Sequence, residues 1–171
     1  MAKLVLTAVG DDRPGLVSAL SAAVAEEGGN WVEGELSRLA GKFAGIVLVD
    51  VPDAAVDSFR AAASRLGEEG LLDVTVTPVV AEGAPAGELL HVELTGHDRP
   101  GIVREVSSVL ARLGVNIESM STLTYDAPMG DGQLFGTDAL LVLPESVTVA
   151  DVRDALEGIT AELMVDVLDA G

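Results

Sequence analysis

A short turn with the residue types needed to hold a small zwitterion occurs twice in the sequence. The residues Asp-Arg-Pro-Gly stand at positions 12–15 and again at positions 98–101. Each copy precedes an apolar segment with helical spacing, and the first N–H groups of a helix are unpaired and carry partial positive charge. Such N–H groups attract a carboxylate, whereas the aspartate attracts an ammonium group. The turn could therefore bind both charged ends of one ligand.

The two turns belong to a duplicated segment. An ungapped alignment of Gly10–Asn30 with Gly96–Asn116 gives ten identities in 21 positions, at Gly10, Asp12, Arg13, Pro14, Gly15, Val17, Ser21, Ala25, Gly28 and Asn30. Such a repeat in a chain of 171 residues predicts two small domains of roughly 80 residues. We place the first domain at residues 1–80 and the second at residues 89–171. The linker between them, residues 81–88, is rich in glycine, alanine and proline.

The residues after each aspartate suit a helix start that a ligand can approach. Pro14 and Pro100 are expected at the start of the helix, where the N–H that proline lacks would have no partner. Gly15 and Gly101 have no side chain, so a ligand could come close to the backbone N–H groups.

An asparagine follows each helix and could complete the site. Asn30 and Asn116 come shortly after Gly28 and Gly114, which are expected to end the helices in a left-handed conformation. We expect the strand that each asparagine opens to run beside the strand carrying the turn. The amide could then donate to a carboxylate and accept from an ammonium group, so that the inferred ligand is a free amino acid. The alternative is structural, because aspartate is a common N-cap and asparagine after glycine often forms a turn.

Each half of the sequence is predicted to fold as strand, helix, strand, strand, helix, strand. In the first strand of each half, alternate apolar residues are expected to face the core: Leu4, Leu6, Ala8, Leu90, Val92 and Leu94. This order, with short connections, predicts an α+β protein with two four-stranded antiparallel sheets, each with both helices on one face. The open sheet faces and edge strands need a cover, so we expect the halves to pair with each other or across a dimer.

The charge of the chain bears on its partners. Ten lysine and arginine residues against 28 acidic ones give a formal net charge of −18. Nucleic acids and anionic membranes bind proteins through basic residues, so we expect direct binding to neither. The N-terminal segment has too few uncharged residues for a signal peptide or membrane span, and we expect a cytoplasmic protein.

The sequence gives little support for catalysis, a cofactor or a metal. It contains no cysteine, which excludes disulfides and thiolate chemistry. No phosphate-binding glycine loop, zinc-binding helix motif or nucleophile elbow occurs. His97 lies beside Asp98, but no serine or second histidine stands at an informative position for proton transfer. We therefore predict no catalytic residues, no cofactor and no metal site.

The duplicated motif resembles the ACT domain, a small-molecule regulatory module. The resemblance rests on Asp-Arg-Pro-Gly with an apolar pair, a helix, and Gly-x-Asn opening a strand, in both halves. The insertion "YDAPMGDGQLFGTDA" is similar to one in the glycine cleavage system transcriptional repressor group of tandem ACT proteins. The resemblance implies two ferredoxin-like βαββαβ domains, with effectors bound where two ACT units meet. The implied ligand contacts are Asp12, Gly15, Leu16, Asn30, Asp98, Gly101, Ile102 and Asn116, to which we add His97, the counterpart of Asp11.

Three functions are compatible with this resemblance. The first is an amino-acid-binding regulator, expected as a homodimer, that controls transcription of glycine and one-carbon metabolism by contacting a DNA-binding activator. The second is a regulatory subunit of a separate amino-acid-metabolising enzyme. The third is an interaction module without a ligand.

Overall fold

The computed structural model describes residues 1–80, 86–130 and 132–170 of the chain. The chain divides into two compact units, Met1–Ala81 and Glu82–Gly171. Most of the predicted linker, together with position 131 of the insertion, lies outside the described residues. Glu88, which we assigned to the linker, is the first residue of a strand. The predicted domain bounds otherwise stay a prediction.

The two units have the same order of elements. The first contains β1 (Ala2–Asp11), α1 (Leu16–Glu26), β2 (Asn30–Leu39), β3 (Lys42–Val51), α2 (Val56–Glu68) and β4 (Asp73–Pro78), with a 3₁₀ turn at Asp53–Ala55 before α2. The second contains β5 (Glu88–His97), α3 (Ile102–Arg112), β6 (Asn116–Asp126), β7 (Gln133–Leu143), α4 (Val149–Glu157) and β8 (Met164–Ala170). None of the helices in the described part of the chain has the length and hydropathy of a membrane span.

Each unit contains one antiparallel four-stranded sheet. The strand order is β2-β3-β1-β4 in the first unit and β6-β7-β5-β8 in the second. The predicted α+β architecture of two βαββαβ domains is therefore confirmed. In each unit the first strand of the sequence lies in the interior of the sheet, and the strand opened by an asparagine forms an edge.

The helices of each unit cover one face of its sheet. Alternate residues of the first strands are buried as predicted, with Leu6 0% and Leu90 0% exposed. In the first unit they pack with Leu20 of α1 and Phe59 of α2 in one apolar cluster. In the second unit the corresponding cluster includes Val106 of α3. Among the described residues of each unit, both helices lie on this one face, and the opposite face carries no helix of the same unit.

The first helix of each unit begins later than predicted. Pro14 and Pro100 lie in the turn, and the N-cap residues are Gly15 and Gly101, with φ angles of 94° and 91°. Residues with a side chain are strained in this left-handed region, so the glycine is required by the backbone conformation. The aspartates are not N-caps, because neither helix has a side-chain hydrogen bond at its cap within the described residues.

The ends of these helices agree with the prediction. Gly28 and Gly114 have φ angles of 70° and 73°. After α3, the N–H of Gly114 donates to the carbonyl oxygen of Ala111 at 3.0 Å, and Val115 N–H donates to that of Leu110 at 3.0 Å. These bonds satisfy terminal helix carbonyls and direct the chain into the next strand.

Candidate functional site

Two long-range hydrogen bonds anchor the first two residues of the first turn. The N–H of Asp12 donates to the carbonyl oxygen of Gly41 at 2.9 Å. The guanidinium of Arg13 donates to the carbonyl oxygen of Gly70 at 2.8 Å. Arg13 therefore holds the turn against the loop that precedes β4.

The carboxylate of Asp12 already has a partner. Its Oδ2 lies 2.8 Å from Nε of Arg38, near the end of β2. Asp11 is likewise paired with Lys42, and hydrogen bonding to that ammonium group holds the pKa of Asp11 below its usual value. In the first turn, both acidic side chains are thus engaged with cations of the same unit.

The second turn differs in its side-chain contacts. Arg99 forms two hydrogen bonds to the carboxylate of Glu105, at 2.7 and 2.5 Å. The hydrogen bonds with Glu105 raise the pKa of Arg99 and lower that of Glu105. The repeat position of Glu105 in the first unit is Ala19, so this pairing is specific to the second. The second turn is therefore braced against its own helix.

Asp98 has a free carboxylate beside the helix start. Its backbone N–H donates to the carbonyl oxygen of Gln133 at 2.9 Å. Its side chain makes no hydrogen bond or ion pair with any residue that the structure describes. Asp98 is thus available to an ammonium group, whereas Oδ2 of Asp12 has an arginine partner.

The backbone of the second turn is open to a ligand. A Cβ atom built on Gly101 would meet nothing within 4 Å. The first hydrogen bond within α3 runs from Glu105 N–H to the carbonyl oxygen of Gly101 at 3.0 Å. The N–H groups of Val103 and Arg104, just before it, have no acceptor in the described part of the chain and can bind a carboxylate.

The side chain of the apolar residue after each glycine is buried in the core of its unit. The side chains of Leu16 and Ile102 are 2% and 4% exposed and belong to the two cores. The N–H of Ile102 donates to the carbonyl oxygen of Arg99 across a long 3.3 Å. The two residues predicted as ligand contacts therefore hold the helix start in place.

A cleft of about 410 Å³ opens at the second turn. Asp98 and Gly101 line one side, and Thr122 and Thr124 of β6 line the other. We did not predict these two threonines as lining residues from the sequence. Their spacing places both on one face of β6, but only the sheet order shows that this end of β6 reaches the turn.

Neither asparagine lies beside the turn of its own unit, contrary to our expectation. Asn30 is opposite Asp50 on β3, which is opposite Lys3 near the start of β1. The turn follows Asp11, eight residues further along β1, or about 26 Å at 3.3 Å per residue. The same holds in the second unit, where Asn116 aligns with Val142 and, through it, with Leu89. One strand, β3 or β7, lies between the two strands that we expected to be neighbours. The distance along the sheet comes from strand direction: both outer strands are antiparallel to the strand between them, so the asparagine at the start of one is level with the start of the other, not with its end.

The remaining histidine of the predicted set lies at the end of β5. His97 is exposed and stands opposite Leu134 of β7, and no described side chain forms a hydrogen bond with it. In the described residues, no group of three histidine, aspartate or glutamate side chains is arranged to hold a metal ion.

Comparison with known sequences identifies the repeated unit. Family models described as ACT domain match residues 2–77 and residues 91–126. A UPF0237 protein of Methanopyrus kandleri is 36% identical over 78 residues, which cover 44% of this chain and 87% of the relative.

Comparison with solved structures shows the same fold over the full chain. A crystal structure of an unknown protein from Galdieria sulphuraria has a TM-score of 0.84 at 24% identity and covers 99% of this chain and 98% of its own. A protein provisionally identified as a glycine cleavage system transcriptional repressor has a TM-score of 0.73 at 16% identity, with 98% of both chains covered. At these identities the likeness concerns the fold.

Proposed function

This chain belongs to the ACT domain family, with two ACT units in tandem, and from that premise we propose that it is a non-enzymatic regulatory protein that binds a free amino acid. The observation that carries the proposal is the open second turn. There the unpaired carboxylate of Asp98 lies in the same cleft as the start of α3. An amino acid would place its carboxylate on the helix N–H groups and its ammonium group on Asp98.

The asparagine of the site would come from a neighbouring ACT unit. Within the described residues, the edge strand β6 pairs with β7 alone. If two copies of β6 pair in antiparallel fashion, the start of one strand meets the end of the other. Asn116 of one copy would then approach the end of β6 where Thr122 and Thr124 line the partner's cleft. We propose that this pairing forms a homodimer and completes the site.

Ligand binding is tested by a thermal-shift screen against the twenty standard amino acids, followed by calorimetry. A ligand at a hundred times its Kd stabilises the protein by about 2.7 kcal/mol, or roughly ten degrees or more in a domain this small. Asn30→Ala with Asn116→Ala should abolish the shift while leaving the Tm of the ligand-free protein unchanged. An unaltered affinity in this double variant would exclude the asparagines from the site.

We propose that the regulated partner is a DNA-binding activator of glycine or one-carbon metabolism. The support is the tandem ACT architecture shared over the full length with the protein identified as a glycine cleavage repressor. The net charge of −18 agrees with action through a protein rather than directly on DNA. Affinity capture from the native cell, with and without the bound amino acid, tests this. Recovery of an amino-acid-metabolising enzyme instead would identify the chain as that enzyme's regulatory subunit.

A further inference from the structure

A groove between the two helices of the second unit carries two arginines. The groove lies between α3 and α4 and has a volume of about 720 Å³. Arg104 and Arg112 of α3 both line it. Neither guanidinium group forms a hydrogen bond or an ion pair with any residue that the structure describes. The second unit has four basic residues in its sequence, so half of them meet at this one surface.

The two arginines lie along one side of α3. They are eight residues apart in the sequence, which is about 12 Å at 1.5 Å per residue, and Ser108 lies midway between them and also lines the groove. Residues four apart are neighbours on the surface of a helix. Val109 and Ile159 add apolar surface, since both line the groove and belong to or pack against the core of the unit. The groove therefore combines apolar surface with two separated positive charges.

The one carboxylate among the described lining residues is already neutralised. Glu105 lines the groove, and its two carboxylate oxygens accept hydrogen bonds from the guanidinium group of Arg99. The charges of Arg104 and Arg112 are thus not cancelled within the groove. In a chain with a net charge of −18, this surface is locally positive and is complementary to an anionic partner.

The first unit does not repeat this surface. Ser18 and Glu26 stand at the repeat positions of the two arginines. Leu113, which lines the groove, has Glu27 as its counterpart, and the carboxylate of Glu27 accepts a hydrogen bond from the hydroxyl of Ser58 on α2 at 2.5 Å. The positive groove is therefore a property of the second unit, not of the repeated fold.

We propose that this groove binds an acidic amphipathic helix of the regulated partner protein. This inference rests on the proposed function. Amphipathic helices bind in grooves through residues spaced three or four apart. A helix with two glutamates eight residues apart and a leucine midway matches the spacing of Arg104 and Arg112 and covers the apolar surface between them.

Charge and distance favour this occupant over other anions. A nucleic acid carries dense negative charge along its whole length, which the acidic remainder of the chain would repel. A small anion would meet one arginine but not both, because they are about 12 Å apart along the helix. Gly101 lines both this groove and the cleft of the second turn. A helix bound here would therefore lie beside the amino acid.

Fluorescence anisotropy with a labelled synthetic peptide tests the inference. The probe is a peptide of about 20 residues, long enough to form a helix, with the pattern Glu-x-x-x-Leu-x-x-x-Glu. The matched peptide has glutamine at both glutamate positions. The unaltered protein should bind the glutamate peptide about fivefold more tightly than the glutamine peptide, and added salt should reduce this difference. In two-dimensional NMR, binding should shift the amide signals of Ser108 and Gly158, which line the groove.

Arginine variants locate the binding surface. Arg104→Gln and Arg112→Gln should each weaken binding of the glutamate peptide roughly twofold to fivefold. Arg153→Gln is the matched control, because it removes the same charge from an exposed position of α4 that does not line the groove, and it should leave the affinity unchanged. Arg112 also lies in the last turn of α3, where a cation stabilises a helix. A lowered denaturation midpoint of Arg112→Gln with unchanged peptide affinity would restrict Arg112 to that structural role and contradict the inference.

Other occupants of the groove give different results, each of which overturns the inference. Equal affinities for the two peptides would show that the arginines do not recognise carboxylates. Suberate, a small dicarboxylate, binding as tightly as the glutamate peptide would identify a site for a small dianion. Dissociation of a dimer of the unaltered protein by the peptide, seen by sedimentation, would show that the groove holds a second copy of the chain.

The proposed function fails or stands on a separate measurement. If the unaltered protein binds an amino acid but does not prefer the glutamate peptide, the inference about the groove is wrong and the proposed function stands. If no amino acid binds the unaltered protein, the proposed function fails, whatever the result with the peptides.

Discussion

At the scale of single residues, the glycine of the turn has two separable roles. Gly101 has a positive φ and open space where a Cβ atom would lie. Gly101→Ala should therefore destabilise the protein only through backbone strain, by roughly 1–2 kcal/mol, and its methyl group should obstruct the cleft. Gly130→Ala is the matched control, because Gly130 also has a positive φ and open surroundings but lies in the loop between β6 and β7 and does not line the cleft.

Chemical denaturation and calorimetry of these two variants distinguish the roles. Both should lower the denaturation midpoint by a similar amount, whereas only Gly101→Ala should weaken amino-acid binding. Equal affinities for the two variants would show that the ligand does not approach this glycine.

At the scale of elements, α4 has a side-chain cap that the other described helices lack. Thr148 Oγ1 accepts from the N–H of Asp151 at 3.2 Å, and the Asp151 carboxylate accepts from the N–H of Thr148 at 2.8 Å. Thr148→Ala should cost about 1 kcal/mol, which lowers the Tm of a domain this size by roughly 4–8 °C. Asp154→Asn, exposed on the same helix, should have a much smaller effect.

The cap also predicts a pH dependence of stability. Hydrogen bonds from Thr148 hold the pKa of Asp151 below its usual value. A group with a lowered pKa in the folded state stabilises the protein above its unfolded pKa and loses this contribution as the pH falls through the folded value. The difference in denaturation midpoint between Thr148→Ala and the unaltered protein should thus become smaller below about pH 4. A gap that stays constant from pH 7 to pH 2.5 would contradict the assigned hydrogen bonds.

The sheet of the second unit carries a row of like charges on its helix-free face. Glu93 of β5 lies directly opposite Asp138 of β7 on one side and Asp166 of β8 on the other, and all three are exposed. Like charges directly opposite each other destabilise a sheet. Glu93→Gln should therefore stabilise the unit, by roughly 0.2–1 kcal/mol, and the gain should shrink with added salt. Glu157→Gln, exposed on α4, is the control, and a destabilised Glu93→Gln variant would contradict the expected repulsion.

Sequence patterns predicted the elements better than the contacts between them. The alternation in β1 and β5, and the glycines that end α1 and α3, are local signals, and the structure confirmed both. The pairing of Asp12 with Arg38 was not predictable, because the two residues meet only through the β2–β3 hairpin. The distance from each asparagine to its own turn was likewise not predicted, since it depends on the strand order of the sheet and on the parallel direction of the two strands concerned. The predicted ligand contacts themselves stay a prediction.

At the scale of the whole molecule, charge limits which surfaces can associate. The strands of the second unit contain no lysine or arginine, and its four arginines lie in the turn and helices at positions 99, 104, 112 and 153. Two copies of the helix-free face of this sheet would repel each other, because each presents the row of three carboxylates. Association through the β6 edges avoids that contact between carboxylates. Because each chain has a net charge of −18, added salt should screen the repulsion between chains and strengthen this association.

Mixing two defective variants tests whether the site is shared between copies. In a background of Asn30→Ala, one variant carries Asp98→Asn and the other Asn116→Ala, so that each alone has no intact site. In a mixed dimer, the unaltered Asp98 turn of the Asn116→Ala chain and the unaltered Asn116 of the Asp98→Asn chain form one intact site. Random exchange makes half of the dimers mixed, and calorimetry in about 0.5 M salt should then detect about one ligand for every four chains. If binding does not return although exchange of subunits is shown by mass spectrometry, each site is contained in a single chain and the proposed pairing of β6 edges is wrong.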